Sequence, residues 1–244
     1  MSKAFWGVIL VIIIATGVII GVSGNKNNSS TKSNANTLTS HVEGKGSTGV
    51  TLVEYGDYEC PFCGQYYPIV KQVQTEYADK IFFQFRNFPL TSVHPNAFAG
   101  ARAAEAAALQ NKFWEMHDLL YENQSQWGSA SDPSPYFKQY AQQLNLNITQ
   151  FNTDYASSKV NDLITADQNE GSKLNITGTP TFFLDGKQIQ VGETVADFEK
   201  VLNAEIKKKG SAASSGSTSQ TTTSTSSSSN SSSSSTSTSG TSGQ

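Results

Sequence analysis

Both cysteines of this 244-residue chain lie in one short motif, Cys60-Pro61-Phe62-Cys63. An apolar stretch, VTLVEY, comes just before the motif, and Pro61 is suited to the first position of a helix because no amide donor is needed there. A thiol at a helix N-terminus faces unpaired backbone N–H groups and the positive end of the helix dipole, and both stabilise the thiolate. The motif therefore predicts a redox-active pair. Cys60 is expected to be the more exposed nucleophile, and Cys63, one turn further in, the shielded partner.

Three other interpretations of the cysteine pair remain open. A structural disulfide across so few residues would close almost no loop and would stabilise little. A metal site needs three or four ligands, and the chain offers two cysteines, three histidines and scattered carboxylates. Two buried, inert thiols would not explain why Pro61 starts a helix directly beside them. Thiol–disulfide exchange therefore accounts best for the motif.

One carboxyl group is a candidate for proton transfer beside the cysteines. Glu54 lies in the apolar strand, six residues before Cys60, where burial would raise its pKa. It could then accept and return the proton of Cys63 during exchange. The alternative is a solvated Glu54 at the end of the strand.

Four other polar residues are expected to have ordinary roles. Asp57 and Glu59 lie in the turn before Cys60 and are expected to be solvated acids that modestly oppose thiolate formation. His94 precedes a proline at a predicted helix start and is expected to help cap that helix. His117 falls on an amphipathic helix and is expected to pack in the core.

The pattern of apolar residues predicts an α/β fold in the order βαβ, an all-helical insert, then ββα. Strand Val50–Tyr55, a helix from Pro61 to about Tyr77 and strand Ile81–Phe88 form the first unit, whose two strands should be parallel. The remaining predicted elements are the helical region from His94, with eight alanines between Ala97 and Leu109, then helices Tyr136–Leu144 and Thr153–Leu174, hairpin strands Thr181–Leu184 and Gln188–Val191, and helix Thr194–Lys208. A mixed sheet flanked by helices follows from this order.

Composition changes sharply at both ends of the chain. Residues 5–22 are an uncharged apolar run, long enough to cross a bilayer and longer than the apolar part of a usual signal peptide. From residue 211 onward, Ser and Thr fill 26 of the 34 positions, so this tail is expected to be disordered. The predicted organisation is a cytoplasmic end at 1–4, a membrane anchor or signal segment at 5–23, a flexible linker at 24–47, the folded domain at 48–209 with its helical insertion at about 92–170, and the tail at 210–244.

The motifs together resemble the DsbA-like branch of the thioredoxin superfamily. The matching stretches are VTLVEYGDYECPFC, QFRNFPL, HPNAFAGARAAEAA, KFWEMHDLLYENQ and GTPTFFLDGKQI, over roughly residues 49–208. The resemblance implies a thioredoxin-like fold with an inserted helical domain and a buried acid at Glu54. It also implies that Pro180 is cis and faces the CPFC pair with Thr179 beside it, although spacing alone would favour a trans bond. Phe62 replaces the His of the best-known members, and a milder oxidant is therefore expected.

The sequence therefore predicts an extracytoplasmic thiol:disulfide oxidoreductase. Cys60 and Cys63 would introduce disulfides into exported proteins, with Glu54 moving protons and Pro61, Phe62, Thr179 and Pro180 forming the substrate-binding loops. No cofactor or metal is required, and the resemblance implies re-oxidation by a quinone-linked membrane partner. The net charge of −3 argues against a nucleic-acid partner. A thiol reductase or isomerase, a metal carrier using both cysteines, and an adhesion module with a vestigial site are the alternatives.

Overall fold

The computed structural model describes residues 37–216. The predicted cytoplasmic end, the predicted anchor, most of the predicted linker and the tail beyond residue 216 lie outside this range. Among the described residues, no helix is long and apolar enough to cross a membrane.

The five strands of the domain form one mixed sheet, in the order β1-β3-β2-β4-β5. Strands β2 and β3 are parallel and the other three pairings are antiparallel. The strands are β1 (His41–Glu43), β2 (Val50–Gly56), β3 (Ile81–Asn87), β4 (Thr181–Leu184) and β5 (Lys187–Ile189). The predicted mixed central sheet of a thioredoxin-like fold is confirmed.

Eight helices surround the sheet among the described residues. They are α1 (Pro61–Glu76), α2 (Ala97–Ala108), α3 (Phe113–Glu122), α4 (Gln124–Trp127), α5 (Ser134–Gln143), α6 (Ile148–Tyr155), α7 (Ser158–Lys173) and α8 (Val195–Gly216). Helices α2 to α7 lie between β3 and β4, where the insertion was predicted. The buried alanines of α2 let α3, α6 and α7 pack against it closely.

The helices depart from the sequence prediction at two places. The predicted helix Thr153–Leu174 is two helices, because the Ser157 side chain accepts a hydrogen bond from the Val160 N–H and so starts a new helix. Helix α8 continues to Gly216, past the predicted end at Lys208, and the alanine residues that follow Gly210 favour this continuation.

The predicted linker extends too far into the domain. His41–Glu43 forms strand β1, which pairs with β3 at the edge of the sheet. Upstream of the strand, the N–H and hydroxyl of Thr39 donate hydrogen bonds to the buried carboxylate of Asp167, at 3.0 and 2.5 Å. Residues 39–43 therefore belong to the folded domain.

Candidate active site

The cysteine motif lies where β2 ends and α1 begins. Strand β2 ends at Gly56, and after a short turn Cys60 caps helix α1 with extended backbone angles of φ −66° and ψ 122°. Pro61 occupies the first turn of the helix, as predicted, and no acidic residue lies in that turn. The free N–H groups of the first turn therefore point toward the sulfur of Cys60 with no competing carboxylate in the turn.

Cys60 has the environment of an ionised thiol. Its side chain is 4% exposed, and its Sγ donates a hydrogen bond to the Thr179 carbonyl oxygen at 3.3 Å in the thiol form. A hydrogen bond from the Cys63 thiol, followed by contributions from Thr179 and from the N–H groups of Cys63 and Phe62, lowers the pKa of Cys60 to about 5, against the effect of burial. Cys60 is therefore a thiolate at neutral pH.

Cys63 has the opposite character. Its side chain is 0% exposed, and its Sγ accepts a hydrogen bond from the Asp57 N–H at 3.5 Å. Burial, then the hydrogen bond to Cys60 and the charge of Glu54, raise the pKa of Cys63 well above that of a free thiol. The pair therefore consists of one ionised sulfur and one protonated sulfur, in the order expected from the sequence.

Glu54 is buried, as its place in an apolar strand predicts. Burial, together with the nearby charge of Cys60, raises the pKa of Glu54 to about 8. The carboxyl group is therefore mainly protonated at neutral pH. It can give a proton to a nearby thiolate and take it back later.

The loop before β4 completes the site. The Thr179–Pro180 peptide bond is cis, as the resemblance implies. The Thr179 hydroxyl is buried and has no hydrogen-bond partner in the thiol form, so it is available to donate to a Cys60 thiolate. Strand β5 pairs with β4 only from Phe182 onward. The backbone of the loop before Phe182 is therefore not paired with β5.

Asp57 is not the solvated acid that its place in the turn predicts. It is 1% exposed, and its carboxylate accepts hydrogen bonds from the N–H groups of Glu59 and Leu90, both at 2.8 Å, and from His94 Nδ1 at 2.7 Å. These bonds compensate for burial of the charge. Asp57 therefore ties the active-site turn to the loop that enters the helical insertion, and His94 orients this carboxylate from the start of that insertion.

A glutamine that no sequence motif predicts supports the same turn. Gln124 Nε2 donates hydrogen bonds to the carbonyl oxygens of Tyr58 at 2.8 Å and Cys60 at 2.9 Å. No local pattern marks this residue, because its acceptors lie more than sixty positions earlier in the chain. Gln124 also lines an open cavity of about 400 Å³ that reaches Pro61 and His94.

Two apolar side chains are exposed, one in the first turn of α1 and one in the loop before α2. Phe62 is 59% exposed at the start of α1, and Val93 is 67% exposed beside His94. The other histidine of this region, His117, is buried as predicted, and its Nδ1 lies 3.1 Å from the Tyr58 hydroxyl. Burial lowers the pKa of His117 well below its usual value, so it is a neutral core residue.

The described residues contain no group of three or more His, Cys, Asp or Glu side chains placed to hold a metal ion. The contacts around the cysteines are instead those that stabilise a thiolate and transfer a proton. This arrangement can carry out thiol–disulfide exchange.

Comparisons with solved structures give the same fold. The protein BdbD from Bacillus subtilis, in its oxidised form, is 24% identical, with a TM-score of 0.60 over 68% of this chain and 92% of that chain. The protein alpha-DsbA1 from Wolbachia pipientis is 21% identical, with a TM-score of 0.62 over 70% of this chain and 93% of that one. At these identities the likeness shows the fold, which is DsbA-like.

The curated relatives that match this chain are named as Na(+)/H(+) antiporters. A protein named Na(+)/H(+) antiporter NhaA 3, from Salinispora tropica, is 40% identical over 148 residues, which are 61% of this chain. The chain spans only 22% of the length of that relative. The similarity therefore concerns one portion of a much longer protein.

The family model described as Thioredoxin matches residues 36–204. This range contains the whole sheet, the cysteine pair and the Thr179–Pro180 loop. The chain therefore belongs to the thioredoxin family, within which it has a DsbA-like fold.

Proposed function

We propose that this protein is a thiol:disulfide oxidase that acts on protein thiols outside the cytoplasm. The observation that carries the proposal is the opposite ionisation of the two sulfurs at the start of α1. A stabilised Cys60 thiolate favours the reduced form of the site, so the Cys60–Cys63 disulfide readily accepts electrons. A pair that favours its reduced form is an oxidant toward other dithiols.

The exchange takes place in two steps. A substrate thiolate attacks Cys60 Sγ of the disulfide, which forms a mixed disulfide and releases Cys63 as a thiolate that takes a proton from Glu54. A second substrate thiolate then attacks the substrate sulfur of the mixed disulfide and releases the Cys60 thiolate. The substrate leaves with a new disulfide, and both of its electrons remain on the cysteine pair.

The loop at Thr179–Pro180 is the proposed binding place for the substrate backbone. The Thr179 carbonyl of this loop is hydrogen-bonded to Cys60, and the pairing of β4 with β5 begins only at Phe182. An extended substrate segment can add to such an edge by main-chain hydrogen bonds. The exposed Phe62 would then contact apolar side chains of the substrate.

The proposed location follows from the apolar run at residues 5–22. We propose that the segment 5–23 anchors the domain on the outer side of the membrane. Disulfides persist in that compartment. A quinone-linked membrane protein is the proposed acceptor of electrons from the reduced cysteine pair.

The direct test uses the oxidised protein and a reduced peptide that contains two thiols. The wild-type protein is expected to form one peptide disulfide per molecule, while Cys60→Ser forms none. Cys63→Ala cannot form the active-site disulfide, so it is given the disulfide-linked dimer of a peptide with one cysteine. Cys60 is then expected to attack that disulfide, release one peptide thiolate and retain the other peptide as a mixed disulfide, visible by mass spectrometry. Equal peptide oxidation by wild type and Cys60→Ser would contradict the proposal.

A second assay separates the oxidase from a reductase. Insulin reduction in the presence of a thiol donor measures electron flow in the opposite direction. We expect slow insulin reduction and fast peptide oxidation. The reverse ranking would assign the protein to the reductases or isomerases.

A further inference from the structure

Tyr121 is a buried residue that the mechanism above does not use. It is 6% exposed in helix α3, and its ring packs against Tyr58 and Tyr67, with centroid distances of 5.0 and 5.2 Å. These contacts fix the ring. The hydroxyl oxygen nevertheless has no hydrogen-bond partner among the described residues.

The Tyr121 hydroxyl lies close to Gly56, at the end of β2. A Cβ atom at Gly56 would lie 3.0 Å from the Tyr121 hydroxyl oxygen, so the phenol reaches strand β2 where that strand carries no side chain. Gly56 lies two residues after Glu54, and the two positions therefore share one face of the strand. The next residue, Asp57, donates its N–H to Cys63 Sγ at 3.5 Å.

The Tyr121 hydroxyl therefore lies on the same side of the sheet as Glu54 and the buried sulfur. Burial, followed by the charges of Cys63, Glu54, Tyr58 and Asp57, raises the pKa of Tyr121 well above its usual value. The phenol stays protonated under all working conditions. It can donate a hydrogen bond to an anion in this space but cannot act as a base.

We propose that the Tyr121 hydroxyl is a positioning donor for Cys63. It donates a hydrogen bond, directly or through one water molecule, to the Cys63 sulfur as that sulfur leaves the active-site disulfide as a thiolate. This inference rests on the proposed function, because it concerns one step of thiol–disulfide exchange. No proton is transferred from Tyr121. Its hydrogen bond, together with that from the Asp57 N–H, stabilises the leaving group until Glu54 protonates it.

The test compares two steps that differ in which sulfur leaves. In the first, glutathione thiolate attacks Cys60 of the oxidised protein, and Cys63 leaves. In the second, glutathione thiolate attacks the glutathione sulfur of a preformed mixed disulfide on Cys60, in a Cys63→Ala background, and Cys60 leaves. Tyr121→Phe keeps the ring and removes only the hydroxyl. We expect it to slow the first step about tenfold and to change the second by less than about twofold.

Tyr140→Phe is the matched control, because the Tyr140 hydroxyl is also buried without a partner but lies in helix α5 of the insertion. We expect it to leave both steps unchanged. Should Tyr121→Phe fail to fold, 3-fluorotyrosine at position 121 provides a second variant. A fluorinated phenol is a stronger donor and is expected to accelerate the first step.

Equal rates of the first step in wild type and Tyr121→Phe would overturn this inference, and so would a slowing of both steps alike. Neither outcome concerns the proposed function, which the wild-type protein tests in the same experiment. A wild-type disulfide that does not react with glutathione at all would overturn both.

Discussion

At the scale of single residues, the active site is defined by three ionisable groups with displaced pKa values. Cys60 is ionised because hydrogen bonds converge on its sulfur, whereas Cys63 and Glu54 stay protonated because they are buried. These displacements make the three groups complementary in exchange. Cys60 is a good leaving group, and Glu54 holds the proton that Cys63 needs.

The raised pKa of Glu54 predicts a pH dependence of stability in the oxidised protein, where neither cysteine titrates. Burial, the larger cause of the raised pKa, remains in the oxidised protein although the charge of Cys60 is gone, so the folded protein holds this proton above the usual value of 4.5, near which the unfolded chain loses it. The contribution of Glu54 to stability is therefore fully present below pH 4.5 and is lost as the pH rises through the raised pKa of the folded protein. Glu54→Gln, which cannot ionise, should remove this loss.

The measurement is urea unfolding of oxidised wild type and Glu54→Gln between pH 5 and pH 8. From pH 5 to pH 8, the free energy of unfolding of wild type is expected to fall by at least about 2 kcal/mol more than that of the variant. Glu193→Gln, at an exposed position, is the control and should follow wild type. Parallel curves for wild type and Glu54→Gln would show that Glu54 is ionised at neutral pH.

At the scale of elements, the site depends on the turn between β2 and α1, which Asp57 ties to the insertion. Asp57→Asn replaces an acceptor oxygen by an amide group and leaves buried donors, such as the Leu90 N–H, without a partner. We expect a loss of about 2–4 kcal/mol in the free energy of unfolding. Asp132→Asn, at an exposed helix start, is the control and should lose much less.

Denaturant unfolding of both aspartate variants checks this expectation. A loss no larger for Asp57→Asn than for Asp132→Asn would mean that the bonds from Leu90 and His94 do not support the turn.

Sequence alone predicted the elements that carry a strong local pattern. Strands β2, β3 and β4 and helix α1 follow from apolar runs and from the Pro61 start signal, and Glu54 was placed correctly because it interrupts an apolar strand. Strand β1 was missed because three residues at a sheet edge have no periodicity of their own. Asp57 was misjudged because its partner Leu90 lies 33 positions away, beyond any local signal.

At the scale of the whole molecule, residues 39–43, which include strand β1, are held to the insertion by buried hydrogen bonds. Asp167 accepts two hydrogen bonds from Thr39, and His41 Nε2 lies 2.7 Å from the buried carboxylate of Glu105. Arg86 also bonds the Thr39 carbonyl and lies 3.2 Å from Asp167. These contacts join the N-terminal segment, the sheet and two helices of the insertion.

Removal of this segment is expected to destabilise the domain. A chain that starts at residue 44 lacks Thr39 and His41 and leaves both carboxylates with fewer partners. Its free energy of unfolding should be at least about 3 kcal/mol lower than that of a chain that starts at residue 37. Thermal and urea unfolding of the two chains provide the comparison, and equal stabilities would show that these buried bonds contribute nothing.

We propose that the Cys60–Cys63 pair is an oxidant because Cys60 is held as a thiolate. The reduction potential of this cysteine pair, measured by equilibrium with glutathione buffers, decides whether it is an oxidant. We predict a value between roughly −180 and −120 mV, above that of a reducing thioredoxin and below that of the strongest DsbA-type oxidants, since Phe62 replaces histidine. A value near −270 mV, which is typical of thioredoxin, would show that the pair is not an oxidant and would identify the protein as a reductase.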